Sequence, residues 1–520
     1  MKLPFLSITL TAMAAILCPI QADAAQGNGL KQVSHRPVER SLKKKETDRH
    51  RPDFTSVGQL TGEGAKPDSH PEQYKRFVEE LKKLAAENEP NSGSALAIAI
   101  EATGNEFCID LWMEKAAAEG SPVAMHYLGK MAAVRNASPE LRYLRGAQRE
   151  ALLKKQSANA QEAANWLRKA AELKFAPAML DYSNFLRKGI GVEANTRAAD
   201  KLLLEAGRDG SFETRFSWLL ENGRMSRWAD AERPEVAGEI KRGNHLVIYF
   251  MSQYAPDSQT QMEWLRKAIS LGNADAMYTI SSVLSTSKPV ESLTLLRGAA
   301  ARYNPAAMYV YGSFLVAEPD DFHKKTGLQQ DIPRGVSMLR TAGILGNLQS
   351  RRALVTAYLH GDFGLQRDPA KAYAHLAWLN TTQTDHISMA AQGFMLLTGK
   401  GVQQDTETGL RYISHAARAG YSYAHALRAY AHYKGLGVPQ DTTLAIESLQ
   451  EAAATGFPHA YVYIAFLTAK GLHGSAPDPR GAERYVNIAS LNLGDAAKAF
   501  FQELMQQQDW VLAPFPLEKE

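Results

Sequence analysis

The chain has 520 residues, of which 45% are hydrophobic and 22% charged, with 38 Gly, 23 Pro and 2 Cys. This composition excludes a disordered, collagen-like or disulfide-rich protein. The formal net charge of +4 is local, since residues 25–52 carry eight Lys or Arg against three Asp or Glu. The rest of the chain is nearly neutral. That argues against nucleic-acid binding, which needs basic residues clustered on a folded face, and we expect a protein or peptide partner instead.

The first 24 residues have the pattern of a secretory signal peptide. An apolar stretch over residues 3–17 follows a positive start, and residues 22–24 (Ala-Asp-Ala) offer the small residues that signal peptidase needs. The stretch is too short to span a membrane comfortably and no similar run follows, so we expect no transmembrane span. These features predict a periplasmic or secreted protein. Acylation of Cys18 is a less favoured alternative, because Leu17 stands where lipoprotein signals usually have a small residue.

Two further segments precede the main body of the chain. Residues 25–70 lack apolar periodicity and include Lys43-Lys44-Lys45, which predicts a flexible basic leader. Residues 71–93 carry Tyr74, Phe77 and other apolar residues at helical spacing. This pattern predicts an N-terminal capping helix.

Three segments near the C-terminal end align without gaps at an offset of 36 residues, beginning at Ser388, Ala424 and Ala460. Each contains a helical pattern, a glycine turn, an Asp and a second helical pattern. In the first copy the turn is residues 399–401 (Gly-Lys-Gly) and the acid is Asp405. Similar openings recur upstream, at Ala124, Ala178, Ala276, Ala307 and Ser350. Helical periods on both sides of a glycine turn predict antiparallel helix pairs.

These motifs resemble the Sel1-like repeat, a variant of the tetratricopeptide family. The resemblance implies an all-α fold, a right-handed α-solenoid of stacked antiparallel helix pairs over residues 94–500. Irregular stretches near residues 137–162, 220–247 and 318–333 interrupt the repeat, and residues 501–520 form a C-terminal tail. The resemblance also implies a binding scaffold, since similar proteins are typically adaptors of the bacterial periplasm or surface.

Motifs that would carry chemistry are weak. The segments Ser41-x-x-Lys44 and Ser285-x-x-Lys288 have the Ser-x-x-Lys spacing found in penicillin-recognising enzymes. The other motifs of those enzymes are missing from this sequence. His425 and His432 are seven residues apart and lack a third ligand in sequence reach. We therefore expect no catalytic residues, no cofactor and no metal, and a cell-wall or β-lactam hydrolase is the least favoured function.

Comparison of equivalent repeat positions predicts a binding surface. The fourth residue after each opening is apolar in early copies but becomes Gln392 and Arg428, and the eighth becomes His432 and Thr468 in the last two copies. Equal positions of stacked repeats lie side by side, so these four residues, with His425 nearby, should form one partner-binding polar band on the concave side. An acidic peptide or a carboxylated sugar would suit its arginine. In the alternative, the register drifts near the end and these residues face water.

The sequence thus predicts an exported, non-enzymatic scaffold that mediates protein–protein interactions in the bacterial envelope. The alternative is a structural subunit of an envelope or polysaccharide-export assembly, tethered by the basic leader or by a lipid on Cys18.

Overall fold

Helices account for most of the described chain. The computed structural model describes residues 63–136, 146–209, 212–221, 233–382, 385–472, 476–507 and 509–510. The predicted signal peptide, Cys18 and most of the leader lie outside these residues, as do residues 511–520 of the tail, so those expectations stay predictions. None of the described helices is both long and apolar enough to cross a membrane.

The first half of the chain contains twelve described helices. They are α1 (Pro71–Glu87), α2 (Gly93–Thr103), α3 (Ile109–Ala118), α4 (Pro122–Asn136), α5 (Gly146–Glu172), α6 (Ala176–Lys188), α7 (Thr196–Asp209), α8 (Phe212–Glu221), α9 (Pro234–Lys241), α10 (His245–Gln253), α11 (Ser258–Ser270) and α12 (Ala274–Leu284).

The second half continues the same pattern. Its helices are α13 (Pro289–Ala300), α14 (Pro305–Val316), α15 (Asp321–Thr326), α16 (Ile332–Ile344), α17 (Leu348–His360), α18 (Pro369–Thr382), α19 (His386–Thr398), α20 (Thr406–Arg418), α21 (Ser422–Lys434), α22 (Thr442–Ala454), α23 (His459–Lys470), α24 (Pro479–Leu493) and α25 (Asp495–Gln507). No strand occurs in the described ranges. Successive helices pack against each other, as α19 on α20 and α20 on α21 do. The predicted all-α solenoid of helix pairs is confirmed.

The recurring Asp joins the two helices of one pair. The backbone N–H of Asp405 donates to Leu396 O of the first helix at 3.0 Å, while its carboxylate accepts the Thr408 N–H at the start of the second helix. Asp441 repeats both contacts, donating to His432 O at 2.9 Å and accepting from the Thr443 and Leu444 N–H groups. One residue therefore ends the turn and satisfies free N–H groups of the next helix.

We expect Asp441→Ala to lower the free energy of unfolding by about 1 kcal/mol, because α22 would lose the acceptor for its first N–H groups. Asp441→Asn should stay close to the wild type, since asparagine caps as well as aspartate. Urea denaturation followed by circular dichroism measures both variants. Equal loss in the two variants would show that the negative charge matters and the cap does not.

The predicted irregular stretches differ in kind. The stretch near 318–333 contains the short helix α15, whose N-cap Asp320 accepts the His323 N–H. Near 137–162, residues 137–145 lie outside the described set, and α5 runs without a break for 27 residues from Gly146, longer than the 13-residue helices α19 and α20. Near 220–247, helix α9 is only 8 residues long, and residues 222–232 lie outside the described set.

Two predicted segment boundaries are wrong. Residues 63–70, assigned to the leader, form two short 3-10 turns in which Ala65 and Pro67 are buried. The buried indole of Trp112 needs an acceptor and donates to Ala65 O at 3.0 Å, which holds this segment on the capping helix and α3. At the other end α25 continues to Gln507 with Leu504 fully buried, so the packed array extends beyond residue 500.

A buried polar network joins helix pairs that are distant in sequence, and we call it the Glu106 network. Glu106, before α3, accepts a hydrogen bond from Tyr358 OH at 2.9 Å and another from His375 Nε2 at 2.9 Å. Arg340 Nε lies 3.1 Å from its second carboxylate oxygen. These partners belong to α16, α17 and α18, and the hydrogen-bonded ones are 252 and 269 residues away. The chain therefore brings its first repeat into contact with a much later one.

The protonation states in the Glu106 network follow from burial and charge. Burial by itself raises the pKa of Glu106, but the hydrogen bond from His375 and the charge of Arg340 outweigh it and bring that pKa to about 2. Burial lowers the pKa of His375. At neutral pH an anionic Glu106 thus faces a cationic Arg340 and a neutral His375 that donates from Nε2.

Candidate functional site

Two of the five predicted partner-binding residues are buried, and for them the prediction is wrong. Gln392 is 1% exposed, donates from Nε2 to Tyr373 OH at 3.2 Å and accepts from Asn380 Nδ2 at 2.6 Å. Thr468 is 7% exposed. Their equivalents in earlier copies, Leu354 and Leu396, are buried as well. A polar side chain held inside in this way bonds to its neighbours, as Gln392 does. Neither residue belongs to a surface band.

The structure brings the other three predicted residues together on α21. His425 Nδ1 lies 2.9 Å from Glu451 Oε2, Arg428 Nη2 forms an ion pair with the same carboxylate, and Arg428 Nε donates to Ser448 Oγ at 3.1 Å. We call His425, Arg428, Ser448 and Glu451 the α21–α22 polar cluster. Ser448 is buried, whereas the side chains of Arg428 and Glu451 are 25% and 54% exposed. His432 lies one turn beyond Arg428.

Electrostatics change the expected ligand of this cluster. Burial raises the pKa of Glu451, but the charge and hydrogen bond of Arg428 outweigh it and lower that pKa. Burial and the nearby Arg428 charge lower the pKa of His432, whose Nδ1 has no hydrogen-bond partner among the described residues. At neutral pH the cluster contains its own counter-charge. An acidic ligand would have to displace Glu451, so the cluster suits polar recognition better than capture of an anion.

An aromatic cluster beside it was missed by sequence reasoning. Trp510 is 5% exposed and stacks on Tyr463 of α23, with ring centres 4.5 Å apart and 14° between planes. Its ring centre also lies 5.3 Å from Tyr433 and 6.1 Å from Tyr430, both on α21. Lys434 Nζ pairs with Asp509 at 2.6 Å. The chain itself therefore covers part of the surface formed by the first helices of the last pairs, where the sequence predicts that a partner binds.

In the sequence, the signal for this contact is a Trp that follows the last helical pattern. Local periodicity stops at α25 and cannot say where the following residues lie. The position of Trp510 depends instead on three tyrosines that only the packing of α21, α22 and α23 in one core brings to one place. In the described part of the chain, no group of three or more His, Cys, Asp or Glu residues is arranged to hold a metal ion.

Taken together, the described helices define an α-solenoid built from helix pairs. The family model described as Sel1 repeat matches six segments, namely residues 122–175, 176–211, 262–273, 349–377, 387–421 and 422–457. The chain therefore contains Sel1 repeats, and the resemblance seen in the sequence is confirmed. Sel1 repeats build protein–protein interaction scaffolds, and proteins made of them are generally non-catalytic.

Two solved structures are similar to this chain. The crystal structure of a Sel1 repeat protein from Oxalobacter formigenes is 20% identical, with a TM-score of 0.32, covering 68% of this chain and 89% of that one. The second is c5321, a protective antigen with an SLR fold from uropathogenic Escherichia coli strains. It is 17% identical, with a TM-score of 0.37, covering 84% of this chain and 98% of that one. A comparison with curated proteins finds no match.

Proposed function

We propose that this protein is an exported scaffold that binds a protein partner in the bacterial envelope and catalyses no reaction. The observation that carries the proposal is the partly exposed face of α21, the first helix of its pair. There His425 and Arg428 lie within 3.5 Å of each other and are partly exposed. Arginine is one of the residues that most often anchor protein interfaces.

The sequence supports the location. The signal-peptide pattern over residues 1–24 favours export to the periplasm or beyond the cell, and the near-neutral body favours a protein partner over nucleic acid. The assignment as a non-enzymatic adaptor rests on the Sel1 repeats themselves. A structural role in an envelope or polysaccharide-export assembly is the alternative that the test must separate.

The test is a crosslinking pull-down from intact cells, analysed by mass spectrometry, with the double variant Arg428→Ala and His432→Ala. We expect recovery of a specific partner to fall at least tenfold, because the variant removes the cationic and imidazole groups of the α21 face. The matched control is Arg418→Ala with His360→Ala, which removes the same residue types from exposed positions on α20 and α17. Melting temperatures of both variants must match the wild type within a few degrees.

Equal recovery with both double variants would contradict the assignment of the partner to this face. Recovery of only envelope-assembly components, in all samples alike, would replace the adaptor by the structural subunit. The same spectra identify the N-terminal peptide, which begins at Ala25 if cleavage follows Ala24. A lipid on Cys18 would instead establish a lipoprotein.

A further inference from the structure

A cavity lies where the irregular stretch 318–333 departs from the repeat. Its volume is about 590 Å³, and α13, α14 and the segment leading into α16 surround it. Its lining includes Arg297, Tyr311, Leu315, Leu328, Asp331 and Arg334. The irregular stretch supplies one wall through Leu328 and its neighbours, so the departure from the repeat unit creates the cavity.

Two arginines from different helices share one aromatic ring in this cavity. The Cζ atoms of Arg297 and Arg334 each lie 5.7 Å from the ring centre of Tyr311. Arg297 also donates from Nε to Tyr311 OH at 3.1 Å. The ring itself is 3% exposed, so it is a fixed platform that limits where the two guanidinium groups can lie.

The two charges are not neutralised within the described chain. Neither Arg297 nor Arg334 forms an ion pair with a described carboxylate, in contrast to Arg340 with Glu106 and Arg352 with Asp385. An arginine that is oriented by a ring and lacks a carboxylate partner keeps its forked donors available for one.

Asp331 is the acidic residue in the lining, and it is engaged elsewhere. Its Oδ1 accepts the backbone N–H of Arg334 at 3.2 Å and caps the start of α16. With two cationic side chains and one anionic one, the cavity has a formal charge of +1. Leu315 and Leu328 are buried and give it an apolar wall. The charge suits a single carboxylate, and the wall suits a short methylene stem.

We propose that this cavity binds a glutamate or aspartate side chain of the partner protein. The inference rests on the proposed scaffold function and names the chemistry of one contact. It assigns the acidic recognition predicted from the sequence to Arg297 and Arg334, and not to Arg428, whose charge Glu451 already neutralises. The carboxylate accepts from the two guanidinium groups, and its methylene groups lie against Leu315 and Leu328.

The experiment is fluorescence anisotropy of the full mature chain with a fluorescein-labelled peptide of alternating Gly and Glu. A peptide of alternating Gly and Gln serves as the neutral probe. We expect Arg297→Gln with Arg334→Gln to weaken binding of the Glu peptide at least tenfold. The matched control, Arg302→Gln with Lys325→Gln, removes the same number of charges from exposed positions outside the cavity and should leave binding within twofold.

Three results of the peptide-binding experiment would overturn the proposal. They are equal binding by the two double variants, equal binding of the Glu and Gln peptides, and inorganic phosphate competing more strongly than free glutamate, which would indicate a phosphate site. All the arginines changed are exposed, and circular dichroism confirms that each variant is folded. If the double variant Arg297→Gln with Arg334→Gln recovers the pull-down partner as well as the wild type does, only this inference fails. If the wild type recovers no partner, the proposed function fails whatever the peptides do.

Discussion

Glu106→Gln should lower the free energy of unfolding by about 3–5 kcal/mol, the cost of removing one partner of a buried ion pair. Glu106 is fully buried and Arg340 is 12% exposed, so the guanidinium would keep its charge with little water to replace the carboxylate. The Gln amide could replace only part of the hydrogen bonding to Tyr358 and His375. Urea denaturation measures the loss.

Hydrogen exchange locates the effect of this change. Amides in α2, α3, α17 and α18 should exchange faster in Glu106→Gln, because the contact between distant repeats opens there. Amides in α21–α23 should be unaffected, since their packing is with their own neighbours. Uniform acceleration along the chain would contradict a local role for the Glu106 network.

A surface pair supplies the control for burial. Lys115 pairs with Asp68, whose side chain is 81% exposed, and Asp68→Asn should cost less than about 1 kcal/mol. The double variant Glu106→Gln with Arg340→Gln should be more stable than the sum of the single changes predicts, because neither charge is then left alone. If the effects of Glu106→Gln and Asp68→Asn were equal, burial of the network would have no energetic consequence.

The pH dependence of the Glu106 contribution has a defined sign. The pKa of Glu106 is about 2 in the folded chain, against an ordinary value of 4.5. A lowered folded-state pKa means that the contribution is complete above the ordinary value and is lost as the pH falls from about 4.5 towards 2. The stability difference between wild type and Glu106→Gln should therefore shrink across that range. A constant difference would show that Glu106 does not titrate as described.

Gly401→Ala should lower the free energy of unfolding by about 2–5 kcal/mol, from backbone strain and overpacking together. Gly401 has a φ of +75°, in the left-handed region that disfavours residues with a Cβ. A Cβ at this position would also overlap the backbone carbonyl of Pro369, at the start of α18 in the preceding pair. The carbonyl is part of a helix terminus and cannot move as a flexible side chain could.

A second glycine separates the two causes. Gly364 has a φ of +69° and open space around its would-be Cβ. Gly364→Ala should therefore show only the backbone strain, about 1–2 kcal/mol. Urea denaturation of both variants gives the packing contribution as their difference. If Gly401→Ala costs no more than Gly364→Ala, the close approach between repeats at Pro369 contributes nothing.

The sequence was sufficient for the repeat because its signals are local. Helical periodicity, the glycine turns and the Asp at the start of each second helix depend on residues within one pair, and Asp405 and Asp441 cap the helices that the sequence predicts. The same local character explains the wrong assignment of Gln392. A change from an apolar to a polar residue predicts exposure, whereas the stacked helices bury Gln392 and supply Asn380 and Tyr373 as its partners.

By itself, then, the sequence determined the all-α repeat architecture and its unit, two helices joined by a glycine turn. Only the tertiary structure decided that Arg428 is paired with Glu451, that Trp510 covers three tyrosines, and that Arg297 and Arg334 share one cavity. It alone showed that Glu106 meets residues more than two hundred positions away. The physical reason is that these contacts depend on how small rotations between successive pairs add up, and no local pattern encodes that sum.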